Sequence, residues 1–103
     1  MTLRALSIVQ ATDADVLVKA GTGIYGGCVI LCATTTDTVI KVYDSATVAG
    51  VAATNMIDVI GMDASLEGNT SSKSSQPCEP IKFTNGLVFV ITGAGALGTI
   101  WYK

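Results

Sequence analysis

Strand-length runs of apolar and β-branched residues, separated by Gly, Asn, Asp and Thr, recur along almost the full length of the chain and, up to Asp44, leave no room for a helix. The runs are Leu3 to Val9, Val16 to Ala20, Cys28 to Ala33, Val39 to Asp44, Asn55 to Met62, Ile81 to Phe83, Leu87 to Thr92 and Thr99 to Tyr102. Turn residues fall between them at intervals of roughly eight to twelve residues, the spacing of an all-β fold. The pattern predicts an antiparallel β-sandwich or jelly roll of about seven to eight strands.

The 103 residues make one domain spanning 1–103. Residues 1–15 read as an N-terminal strand or arm, and the polar stretch 64–76 as a mobile loop too poor in apolar side chains to order itself. Gly21 to Gly27 is expected to turn the chain, Thr34 to Thr38 to make a polar hairpin connection, and Thr84-Asn85-Gly86 to form a tight hairpin turn. Val48 to Thr54 reads as a loop with room for a single helical turn. In the run from Asn55 to Met62, alternation places Met56, Asp58 and Ile60 on one face and Ile57, Val59 and Gly61 on the other.

Charged residues are 14% of the chain and hydrophobic ones 50%, so part of the surface is expected to be apolar or covered. The runs Cys28 to Cys32 and Leu87 to Ile91 are apolar on both faces, which implies a second buried surface supplied by self-association or by docking on a larger body. A net charge of −2 with scattered basic residues argues against nucleic acid as a partner. The longest apolar run, Cys28 to Ala33, has strand length, so no membrane partner is expected. The N-terminal residues lack the pattern of a signal peptide, and synthesis and retention in a cytoplasm are expected.

The chain has three cysteines and no histidine. Cys28 and Cys32 lie on one strand, roughly 13 Å apart at about 3.3 Å per residue, too far for a disulfide. Reduced, buried thiols are expected, and no metal site, since nothing completes four zinc ligands. Calcium would need clustered oxygens, and Asp13, Asp15 and Asp63 lack that spacing. Gly21-Thr-Gly-Ile-Tyr-Gly matches the dinucleotide pattern, with Asp44 at the distance of a ribose ligand. Yet the residues that follow are β-branched, where the pattern requires a helix. The glycines are read as a turn, and no cofactor is expected. Nucleophilic catalysis has no histidine base, so the chain is not expected to be an enzyme. Trp101 and Tyr102 alternate to opposite faces, one to the core and one outward. Together with Tyr25 they are the candidate interface residues, for a subunit contact or a sugar face.

Three segments carry a family resemblance: Val16-Leu-Val-Lys-Ala-Gly-Thr-Gly-Ile-Tyr-Gly-Gly, Thr38-Val-Ile-Lys-Val-Tyr-Asp-Ser-Ala, and Ile81-Lys-Phe-Thr-Asn-Gly-Leu-Val-Phe-Val-Ile-Thr-Gly. With the terminal Tyr102-Lys103, they make the chain from 16 to 103 resemble small structural proteins of tailed-phage virions. The polar insert from Ala64 to Gln76 and the bulky Ile24-Tyr25 depart from the family pattern. The resemblance implies a β-sandwich head decoration or cement protein, a homotrimer that stabilises the phage head by binding the major capsid protein across capsomers. It places the protein on the virion head surface, assembled in the host cytoplasm. A tail or fibre module and a small carbohydrate-binding adhesion module are the alternatives.

Overall fold

A computed structural model of the chain describes residues 4–10, 14–32, 37–63, 73–93 and 96–103. Its strands are β1 (Arg4–Gln10), β2 (Ala14–Ala20), β3 (Gly23–Cys32), β4 (Thr38–Asp44), β5 (Met56–Met62), β6 (Lys73–Ser75), β7 (Ile81–Phe83), β8 (Gly86–Thr92) and β9 (Ala96–Tyr102). They form two antiparallel sheets. One is ordered β1-β9-β3-β6, with β7 also pairing β3, and the other β2-β8-β4-β5. β6 pairs with Cys28 to Ile30 of β3 and β7 with Gly23 to Tyr25, so the two short strands share one edge as an interrupted strand.

The pairings are nested. β1 lies against β9, β2 against β8, β3 against β6 and β7, and β4 against β5, as in one long hairpin. That hairpin is rolled up so that β9 also pairs β3 and β8 also pairs β4. This is the jelly-roll solution to the all-β problem, and the expected sandwich class holds.

Alternation within each strand builds the core. Tyr25, Cys28 and Ile30 of β3 and Ile100 of β9 meet Ile40 and Val42 of β4, and Leu87, Phe89 and Ile91 of β8. Removing each large apolar side chain from water contributes about 1.5–3 kcal/mol before chain entropy is set against it.

Several connections differ from the sequence expectations, for one shared reason. The expected hairpins at 34–38 and 84–86 join strands of different sheets, β3 to β4 and β7 to β8. Strand alternation and turn residues are the same whether the chain folds back beside itself or crosses to the facing layer. Residues 33–36 of the first connection lie outside the described residues.

At the second, Gly86 enters the corner so tightly that a Cβ there would lie 2.4 Å from the Ser45 carbonyl oxygen and 3.1 Å from that of Lys19. The glycine is therefore required for close backbone approach, in place of the expected tight hairpin turn.

The expected turn over 21–27 shortens to a bend at Gly21 and Thr22, and β3 begins at Gly23. A register irregularity between Tyr25 and Gly27 absorbs the glycine-rich stretch within the strand. β1 is an integral member of its sheet, paired from Arg4 to Gln10. Of the expected mobile loop 64–76, residues 73–75 form β6, because backbone pairing with β3 orders what side-chain burial alone would not. Residues 64–72 lie outside the described residues. The connection between β4 and β5 holds two 3-10 turns, Val48–Gly50 and Ala53–Asn55. Thr47 Oγ1 accepts from the Gly50 N–H at 3.1 Å, and Asn55 bonds to both the Ala52 N–H and the Gly50 carbonyl.

Candidate functional site

Alternation along β5 placed Asp58 with Ile60 on the inward row, and there it meets donors from the facing sheet. The Tyr25 hydroxyl and the Ser75 hydroxyl each donate to Asp58 Oδ2 at 2.7 Å, and the Val59 N–H donates to Oδ1 at 2.8 Å. The carboxylate thereby joins β5 of one sheet to β3 and β6 of the other. Tyr25 is fully enclosed, so it cannot serve as the surface anchor expected of it. Its ring fills the core while its hydroxyl is spent on Asp58. Burial, then the bond to Asp58, push its hydroxyl well above the ordinary tyrosine range.

Cys28 lies beside this group. Burial pushes its thiol up to about 11, with the neighbouring Tyr25 hydroxyl acting weakly in the opposite direction. It is a buried free thiol, as expected, whereas Cys78 is free but exposed, in a polar connection that offers it no core, against the expectation of burial. The side chain of Cys32 lies outside the described residues.

Asp44, which the glycine pattern had offered as a ribose ligand, clasps the β7–β8 corner. Its Oδ1 accepts from the Asn85 N–H at 2.8 Å and the Gly86 N–H at 3.4 Å, and its Oδ2 from the Thr84 N–H at 3.1 Å. Partial desolvation raises its carboxyl, but the bonds from Asn85, Thr84 and Gly86 outweigh it and hold the group below the usual carboxylate range.

Trp101 and Tyr102 divide as alternation predicts. Tyr102 packs against the core, and Trp101 stands half-buried on the outer face of the five-stranded sheet, opposite Gly27. The three candidate interface residues are therefore not one patch: Tyr25 is internal, Tyr102 leans inward, and Trp101 alone faces outward.

The outer face of the four-stranded sheet carries features that no motif announced. Leu17 on β2 and Val59 on β5 are 41% and 53% exposed, at the two opposite edges of that sheet. Between them, Tyr43 and Val88 alternate outward yet are buried. The Val48–Gly50 turn that follows β4 lies near β2. Val88 of the two-faced apolar run Leu87 to Ile91 is buried within the single chain, while Leu17 and Val59 stay exposed.

Two hollows lie elsewhere. A cleft of about 590 Å³ is lined by Thr22, Gly23, Ile24, Glu79, Pro80 and Lys82. A shallower one of about 260 Å³ lies between Asp37, Val39, Gly61, Met62 and Asp63. Among the described residues no group of three or more metal-binding side chains comes together. Asp13 lies outside the described residues.

The sequence held a signal for the Asp58 cluster, since a carboxylate on a core-facing row needs buried donors. It held none for the cleft, whose walls come from segments far apart in the chain.

No protein-family model matches the chain, and no curated protein matches it in sequence. Among solved structures it is similar to one described as the crystal structure of PirA, at 13% identity and a TM-score of 0.51, over 98% of this chain and 93% of that one. At that identity the likeness carries the all-β sandwich fold and nothing further.

Proposed function

We propose that this chain is a non-enzymatic virion structural protein of the capsid-decoration, or cement, kind. It self-associates as a trimer, docks on the major capsid protein at the head surface, and assembles in the host cytoplasm. The observation that carries the reading is the placement of Leu17 and Val59. A single exposed aliphatic side chain is ordinary on any surface. Two of them, at opposite edges of one sheet, suit a head-to-tail contact in which the β2 edge of one copy meets the β5 edge of the next. Such a contact generates a ring when its rotation closes.

The family resemblance supports the same reading, and jelly rolls are an architecture of viral capsid domains. The best-placed carboxylates are also committed structurally, Asp44 to a corner and Asp58 to a tie between sheets. The test is addition of purified protein to heads that lack it. Binding that raises their resistance to heat and salt is expected. Failure to bind, with unchanged resistance of the bare heads, would remove the cement role, and electron microscopy showing the protein in the tail would move it there.

A second reading rests on Trp101, which presents an outward aromatic surface, as sugar-binding modules do. It predicts glycan binding that disappears in Trp101→Ala with the fold intact, and a glycan array without signal would end it.

A further inference from the structure

We infer that the cleft between the start of β3 and the segment 79–82 binds an extended peptide of mixed charge from a partner protein. Ile24 of β3 and Lys82 of β7 sit directly opposite each other. Their neighbours Tyr25 and Phe83 belong to the core, so Ile24 and Lys82 face outward from the five-stranded sheet. Pro80 and Glu79 raise one wall beside them, and Thr22 and Gly23 the other. The volume of about 590 Å³ falls within the range of small-ligand sites, about 300–1,000 Å³.

The chemistry of the lining selects the ligand. Ile24 and Pro80 give the cleft its apolar surface, and Thr22 offers a hydroxyl. Glu79 and Lys82 are both exposed, and neither is paired with another group among the described residues. Unpaired charges of both signs beside an apolar surface complement a ligand that carries both signs around an apolar side chain, as a peptide does. A polyanion would meet one cation beside a repelling carboxylate. A neutral sugar would find no aromatic ring in the lining to stack on.

The backbone adds a second argument. Among the described residues β7 pairs only with β3, so its far side faces no described strand, the position at which an added strand gains affinity from main-chain bonds and specificity from pockets. The β3 side of the cleft is also tied into the sheet. Ile24 and Lys103 exchange two backbone hydrogen bonds of 2.8 Å, and Gly23 lies so close to the Phe83 ring and the Lys103 carbonyl that a Cβ would come within 2.4 Å of each. A preformed wall lowers the ordering cost of binding. The cleft is on the sheet opposite to Leu17 and Val59, so the inference does not depend on the assembly reading.

The test is backbone-amide NMR titration with three probes. One is a pool of capped hexapeptides with Lys and Asp two positions apart among Val and Thr. The second is the same pool with Gln and Asn in place of the charges, and the third is cellohexaose. The mixed-charge pool is expected to shift the amides of Thr22 to Ile24 and of Glu79 and Ile81 to Phe83. The double variant Glu79→Gln/Lys82→Gln, with the rest of its spectrum unchanged, is expected to bind it about tenfold more weakly, a loss of about 1.4 kcal/mol. No shift at these amides, equal shifts from the neutral pool, undiminished binding by the variant, or shifts from cellohexaose alone would each overturn the inference.

Discussion

Asp58 accepts from Tyr25 and Ser75 across the gap between the sheets, and such an acceptor is costly to strip of its donors. Tyr25→Phe is expected to destabilise the fold by about 1.5–3 kcal/mol in urea titration, with the core otherwise kept. Adding Ser75→Ala should cost more than the sum of the two single changes, because the last facing donor is then lost. Strict additivity would show that the carboxylate does not act as a shared acceptor.

At the same scale, Cys28 and Cys78 differ in reactivity. Burial holds the Cys28 thiol up at about 11, so near neutral pH it presents little thiolate, whereas Cys78 is exposed. Peptide mapping after alkylation of the native protein should find Cys78 modified and Cys28 spared. Equal labelling of the two would refute the enclosure of Cys28.

Asp44 is a depressed carboxyl, so its contribution is fully present above the unfolded value, about 3.9, and is lost as pH falls through its folded value. Asp44→Asn should therefore cost roughly 1 kcal/mol at neutral pH, kept low because the site is open to water, and close to nothing in strong acid. A stability difference that stays constant with pH would contradict the clasp.

Among the elements, the corner between β7 and β8 separates what was legible in the sequence from what was not. The strands themselves were readable: Ile81 to Phe83 matches β7, and Asp58 to Met62 alternates as expected, but an irregularity skips Ile57 in the pairing with β4, so that Ile57 packs toward the core and Met56 lies opposite the outward Tyr43. Asn85-Gly86 signalled a reversal of the chain correctly. It did not say whether the next strand lies beside the last or in the facing sheet, because that choice is made by contacts from β4 and β2, distant in sequence. Asp44 and the Ser45 and Lys19 carbonyls make it.

β6 was missed for the same reason, as its order comes from β3 and Asp58 and not from its own Lys-Ser-Ser composition. Gly86→Ala tests the corner directly. Forcing a Cβ against the Ser45 carbonyl is expected to cost about 1–3 kcal/mol in thermal or chemical unfolding. A neutral substitution would mean that the corner is looser than described.

For the whole molecule, the surplus of apolar residues noted in the sequence divides between two uses. Val88 and Tyr43 are buried on the outer side of their sheet, while Leu17 and Val59 stay exposed at its two edges. If those edges meet head to tail, each contact contains Leu17 of one copy and Val59 of the next, and each of the variants Leu17→Lys and Val59→Lys breaks every contact in a ring. Exposed substitutions of this kind change monomer stability by only about 0.5 kcal/mol.

The decisive measurement is absolute mass by light scattering after size exclusion, on the wild type, on each variant, and on the two variants mixed. The account predicts a trimer for the wild type and a monomer for each variant alone. The mixture should give a dimer, because the intact Leu17 edge of one variant can still meet the intact Val59 edge of the other. A wild type that stays monomeric at every concentration, or variants that keep the full assembly, would contradict it.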